Sequence, residues 1–312
     1  MLAILRYRVS LVALILLLAT PAAWAGAPQP VRIAENVYAF IADNADVAMS
    51  NRGRIGNSGF IIGPDGIVVI NSGVSNRHAQ EMVTAIRRIS KKPLSLAIIT
   101  HAHQEFLMGA GYFQARNIPV LAHSRTAQLM QSRCENCLHH LKEILGQEMR
   151  GSRVIVPDRI INASEFVSVA GMSLELRYFG WGSTPGDLAV FDRNSGVLFA
   201  GGLIDVGRIP ELRDSRVAEW RSILGKLKAL PINHIVPAHG RVSDKSAIDQ
   251  MENYLAEIER KVRELYDEGV SLSEVESKAD LAEFSHWALY RGQHHKNVHR
   301  VFLQLEQTDL EN

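Results

Sequence analysis

The feature that most constrains this chain is a series of short, unbroken apolar runs, each closed by turn residues and separated by helical periodicities. Ile232 to Val236, interrupted by Asn233 and His234, reads as a strand, and Leu96-Ala97-Ile98-Ile99, Ile118 to Ala122, Leu188 to Phe191 and Val197 to Ala200 are apolar runs of four or five residues. Such runs are too short for core helices and apolar on both faces, as strands buried inside a layered sheet must be. Gly59-Phe60-Ile61-Ile62 and Ile67-Val68-Val69-Ile70 flank Gly63-Pro64-Asp65-Gly66, a hairpin pattern. Val31 to Ile41 reads as one strand, and residues 153–200 are strand-rich, with Met172 to Phe179 the clearest addition. Behind Ser75, a candidate N-cap, the apolar residues Ala79, Met82, Val83 and Ile86 recur at helical spacing. Further helices are expected from Ser124 to Leu145, around Trp220 to Leu230, and over most of the chain after Gly240. Strands and helices in this order imply an α/β chain with sheets packed between helix layers.

Composition narrows the function. With 46% apolar and 21% charged residues over 312 positions, the chain buries a real core and is neither disordered nor fibrous. The 34 Lys and Arg against 33 Asp and Glu leave no basic excess to hold nucleic acid. Two cysteines exclude a scaffold built on disulfides. Arg6 and Arg8, the apolar run Leu11 to Ala19 and the small-x-small site Ala23-Trp24-Ala25 form the pattern of a secretory signal peptide over residues 1–25. That run is nine residues long, where a bilayer span takes about 20. No later stretch is apolar enough to span, so the expectation is a periplasmic protein without a membrane span after cleavage. Residues 30–240 carry the strand and helix alternation, and 241–312 form a helical extension packed on it.

The candidate chemistry gathers where strands end. Thr100-His101-Ala102-His103-Gln104-Glu105 leaves a buried strand directly, and Pro237-Ala238-His239-Gly240 ends another. Two imidazoles at i and i+2 can turn towards one point, and a carboxylate two residues on can join them. Imidazole and carboxylate are the ligand set of zinc or iron.

These segments resemble the metallo-β-lactamase superfamily across most of residues 30 to 240. The family's His-x-His-x-Asp-His loop lies over His101-Ala102-His103-Gln104-Glu105-Phe106, with its following Gly at Gly109. Its Asp-Thr-Gly turn lies over Asn71-Ser72-Gly73, and its Gly-His-Thr-x-Gly segment over Gly182-Ser183-Thr184-Pro185-Gly186. Its Gly-Asp pair lies over Gly201-Gly202, and its Pro-Gly-His-Gly ending over Pro237-Ala238-His239-Gly240. The resemblance implies an αββα sandwich and a zinc-dependent hydrolase. Cys134 to Met149, Arg208-Ile209-Pro210 and the ending from Asn297 to Glu306 resemble most the exported metallohydrolases linked to quinoprotein and sulfur-oxidation systems.

Four of the family's metal-site positions are substituted: Glu105 for Asp, Phe106 for His, Ser183 for His and Gly202 for the bridging Asp. Asn71 replaces the Asp that braces the histidine loop, a kind of loss that costs ~10–100-fold in affinity or activity. A dinuclear zinc site is therefore not expected. A single zinc held by His101, His103, Glu105 and His239 is one reading, and Glu105 becomes the general base for water if it stays off the metal. A relic site that holds no metal is the other. Asp205, three residues past Gly202, reads as an ordinary loop carboxylate, and His123 as a packed histidine near the site. Phe106, Tyr178 and Trp181 are candidates to line its mouth. His294, His295 and His299 read as packing or solvated residues of the last helix.

Cys134-Glu135-Asn136-Cys137 is the remaining motif. Haem attachment needs a His next, and Leu138 stands there. The pair is expected to form a short disulfide in an oxidising compartment. A working dithiol with a periplasmic redox partner is the alternative, and a metal site with His139 and His140 a remote one. Three functions follow. The first is a hydrolase acting through one metal on a small ester, thioester or lactam-like bond. The second is a non-catalytic accessory protein binding an unknown small molecule, and the third a sulfur-handling dithiol protein.

Overall fold

The structure, a computed structural model, describes residues 28–311. Its strands are β1 Pro30–Ala34, β2 Val37–Phe40, β3 Ser58–Ile62, β4 Ile67–Ile70, β5 Leu94–Ile98, β6 Val120–His123, β7 Arg159–Ile161, β8 Glu165–Val169, β9 Met172–Tyr178, β10 Leu188–Asp192, β11 Val197–Asp205 and β12 His234–His239. The helices are α1 Asn76–Ile89, α2 Gln104–Leu107, α3 Ala110–Gln114, α4 Ser124–Leu145, α5 Val217–Lys228, α6 Ser246–Asp267, α7 Leu272–Lys278 and α8 His295–Glu311. The first seven strands form one sheet in sequential order, and the other five form a second sheet ordered β12-β11-β10-β9-β8.

The apolar runs sort into three layers because successive side chains of a strand point to opposite faces. Val68, Ile70, Leu96, Ile98 and Leu121 of the first sheet meet Leu174, Leu176, Leu188, Val190 and Phe199 of the second, forming the core between the sheets. Their neighbours Ile67, Val69, Ala97, Ile99, Val120 and Ala122 face outward and are covered by α1 and α4. Ala189, Phe191, Leu198 and Ala200 are covered in the same way by Trp220 and Leu224 of α5, Met251 and Leu255 of α6, and Val298 and Val301 of α8. This is an αββα sandwich, and the C-terminal helices belong to its outer layer. None of the described helices is long and apolar enough to cross a membrane.

Most sequence expectations hold at the element level. Ser75 caps α1, its hydroxyl accepting from the His78 backbone at 3.0 Å, and α4 spans Ser124–Leu145. Val31 to Ile41 is not one strand but two, β1 and β2, paired antiparallel around Asn36, whose φ of 60° turns the chain. The leader expected over residues 1–25 lies outside the described residues. Glu105 and Phe106 sit on a helical turn, α2, rather than on an open loop.

Candidate functional site

The ends of β5, β11 and β12 open into a cleft of about 800 Å³. Its wall holds His101, His103, Glu105, Ser183, Gly202, Asp205 and His239 from the sheets' end, Cys137 from α4, and Asn297 and Arg300 from α8. The sequence singled out the first group, whereas the ending from Asn297 to Glu306 was read only as a family likeness, because α8 reaches the cleft only by packing.

On the β5 side, Asn71 holds the histidine segment in register. Its Oδ1 accepts from the Thr100 backbone N–H at 3.0 Å and from the Thr100 hydroxyl at 2.9 Å. With its proton committed to Asn71, the Thr100 hydroxyl can only accept from His101 Nδ1, 2.9 Å away. The His101 proton therefore sits on Nδ1, and Nε2 keeps its lone pair. That atom is buried and has no partner. Burial, then the neighbouring His103, drives the His101 pKa well below the ordinary 6.5, so the ring is neutral. Asn71 thus braces this loop, contrary to the expectation that the Asp-to-Asn exchange leaves it poorly held. Its φ of 62° is a conformation that Asn tolerates.

The β12 side is the electrostatic opposite. Parallel pairing sets Asp205 of β11 beside His239 of β12. His239 Nδ1 donates to Asp205 Oδ1 at 2.7 Å, and Nε2 donates to Glu105 Oε1 at 3.0 Å. Burial alone would lower the His239 pKa, but the Asp205 charge and the hydrogen bonds to both carboxylates raise it. Burial alone would raise the Glu105 pKa, but the hydrogen bond and charge of His239 hold it far below the carboxylate range. An imidazolium clamped between two carboxylates results. Glu105, so strongly acidic, is a poor general base, and Asp205 is no ordinary loop carboxylate but the partner that orients His239.

Phe106 packs against both sides. Its fully buried ring lies 4.4 Å from His101 and 5.3 Å from His239, centroid to centroid. Gly56 leaves the room, since a Cβ there would lie 2.5 Å from Phe106 Cε1 and 2.8 Å from Glu105 Cγ. Gly202 is a similar close approach, where a Cβ would lie 2.8 Å from His101 Cδ2.

The other candidates fall outside this constellation. His123 Nδ1 accepts from the Arg125 backbone, and its ring stacks on Tyr178 at 3.9 Å. Trp181 bonds to the Asp214 carbonyl under Arg216 and lines a second, smaller cleft. His294 is buried on Tyr254 and Ala279, while His299 lines the main cleft. Cys134 and Cys137, expected as a disulfide, are free cysteines in this structure. They lie at i and i+3 of the continuous helix α4, where Cβ atoms are ~5–6 Å apart against the ~3.8 Å a disulfide needs.

A model of the metallo-β-lactamase superfamily matches residues 51–239. The chain belongs to that superfamily. A type 2 metallo-β-lactamase of Bacillus sp. (strain 170) is 26% identical over 189 residues, 59% of this chain and 66% of the relative. The match thus spans just under two thirds of that curated relative's length. The type 2 enzyme of Bacteroides fragilis is 20% identical over 215 residues, 67% of this chain and 78% of the relative. Among solved structures, a metallo-β-lactamase from Pontibacter korlensis superposes with TM-score 0.60 at 21% identity, covering 73% of this chain and 99% of its own. The DIM-1 metallo-β-lactamase exposed to ceftazidime gives 0.59 at 16% identity, covering 73% and 96%. These likenesses share the αββα fold.

Zinc is the group this family implies, and the residues present do not fit it. A catalytic zinc takes three protein ligands and keeps one position open. Here both ring nitrogens of His239 are taken by Asp205 and Glu105, and the Phe106 ring packs against both His101 and His239. Among the described residues, no group of three or more His, Cys, Asp or Glu is arranged to hold a metal ion.

Proposed function

We propose that this is a metallo-β-lactamase-fold protein that has exchanged its metal centre for a buried ion pair and uses the cleft to bind a small molecule. The observation that carries the reading is His239, both of whose ring nitrogens are engaged by carboxylates. In place of a cation shared by imidazoles, the site holds an imidazolium shared by carboxylates. The positive charge that a metal would supply is present without it. Binding is the activity left to such a pocket: it is roomy, of the size that small-molecule sites have, and keeps one unpartnered acceptor at His101 Nε2. The reading keeps this protein with the exported relatives of quinoprotein and sulfur-oxidation systems, on the strength of the segments 134–149, 208–210 and 297–306. It favours an accessory role there over hydrolysis.

Zinc content and hydrolysis decide it together. Full-length protein dialysed against zinc and then buffer is expected to carry well under one zinc per chain. It is expected to leave lactams, esters and thioesters intact. The paired replacements Phe106→His and Ser183→His, which give His101 and His103 a third imidazole and remove the Phe106 ring, should raise the zinc count towards one. Stoichiometric, tightly held zinc in the unaltered protein with turnover of any of these bonds would overturn the reading and restore a single-metal hydrolase.

A further inference from the structure

Two guanidinium groups border the main cleft without a carboxylate to share their charge. Arg208, just past β11, is only 8% exposed. A guanidinium carries five N–H donors, and among the described residues the Arg208 side chain makes one hydrogen bond, to the Ala45 carbonyl. Arg300 of α8 borders the same cleft as well as the smaller one, and its Nε is buried without a partner. Neither arginine has an ion pair among the described residues. Burying such a charge is costly unless an anion shares it. The carboxylates of the cleft are engaged elsewhere: Glu105 and Asp205 hold His239, and Glu211 holds Arg213. Asp46 and Glu276 are exposed and pair with neither arginine.

The backbone fixes where these groups stand. On either side of Arg208, the Gly207 carbonyl accepts from the Ala288 N–H at 2.9 Å and the Ile209 N–H donates to the Ala288 carbonyl at 3.1 Å. Asn297 ties the same segment to α8. It donates to the Pro210 carbonyl at 2.7 Å and accepts from the Leu212 N–H at 3.2 Å. Asn297 and Arg300 are neighbours at i and i+3 of that helix. The bonds that anchor the loop therefore bring Arg300 to the wall that Arg208 borders. We propose that the cleft is a site for a small oxyanion, a carboxylate or a tetrahedral group such as sulfate or phosphate, whose charge is taken by Arg208 and Arg300. The planar fork of a guanidinium matches the oxygens of these groups. His239, with both N–H groups spent on carboxylates, adds no donor. The proposal rests on the binding reading above and gives it a ligand class.

The test titrates full-length protein of measured zinc content with succinate, inorganic sulfate, inorganic phosphate and uncharged succinamide, by calorimetry at constant ionic strength. Saturable binding of at least one anion is expected, with no binding of succinamide, and the anion that binds shows whether the group is planar or tetrahedral. Arg300→Gln should weaken binding ~10-fold, as loss of a charge-assisted hydrogen bond does. Lys296→Gln removes an exposed cation of the same cleft and should weaken it by less than about twofold. Arg208→Met should abolish binding and leave the ligand-free protein at least as stable in urea, because it removes a buried charge that no carboxylate pairs. Succinamide bound as tightly as succinate would overturn the proposal, and so would no binding of any anion. Equal losses for Lys296→Gln and Arg300→Gln would overturn it too, since they would show a diffuse field in place of a built site. These failures appear in the titration, whereas failure of the binding reading appears as tightly held zinc with turnover, so the two are told apart.

Discussion

The two histidine-bearing sides of the cleft are built alike, a strand running straight into a turn, yet they end in opposite states. On the β5 side the Asn71–Thr100 relay fixes His101 as a neutral ring with an open lone pair. On the β12 side two carboxylates fix His239 as a cation with no open position. The difference teaches that a ring's backbone position does not decide its chemistry. Its hydrogen-bond partners do, since they set both the tautomer and the charge. A metal site needs both sides in the first state, and only one of them is.

Removing the cation from the closed side should have the largest effect. His239→Ala leaves Glu105 and Asp205 as buried carboxylates without their shared partner, and the loss should be about 3–5 kcal/mol in urea unfolding at pH 7. His103, on the open side, has no side-chain hydrogen bond among the described residues, and His103→Ala should cost only about 1 kcal/mol. Equal losses for the two would break the comparison.

Gly202→Ala comes next. A Cβ there meets the His101 ring at 2.8 Å, and overpacking of this kind costs about 1–3 kcal/mol. The His101 ring must tilt, which a shift of its imidazole resonances would report. A fully stable variant with unmoved resonances would show that the ring is looser than the Thr100 relay implies.

The slope of stability against pH separates the two sides most finely. The His101 pKa is depressed on folding, so the unfolded chain binds the extra proton and stability falls as pH drops below 6.5. Buried His78, which burial and then the Arg54 charge lower to about 3, acts with the same sign. The His239 pKa is raised on folding. Its stabilisation is complete below 6.5 and fades as pH rises through the folded value. His101→Gln should flatten the acid limb by at most about 1.4 kcal/mol per pH unit. His239→Gln should flatten the alkaline limb and leave the acid limb in place. An alkaline limb unchanged by His239→Gln would mean that His239 is not the cation in this network.

The sandwich was largely legible in the residues. Runs such as Leu96 to Ile99 are apolar on both faces because both faces are buried, and the histidines were found because they follow those runs directly. Where legibility failed, the cause was local chemistry overridden by position. Asn36 breaks Val31 to Ile41 with a turn, and the apolar residues on either side hid it. The Cys134–Cys137 spacing suggested a disulfide, which the continuity of α4 opposes.

The sequence by itself determined which side chains could meet at the cleft. Only the tertiary structure decided what the surviving groups do. Asp205 and His239 are separated by 34 positions and become partners through the parallel register of β11 and β12. Phe106 packs against His101 and His239 because Gly56, from another segment, leaves room for its ring. Protonation follows from burial and from the nearest charge, and both are properties of neighbours that the chain brings together only when it folds.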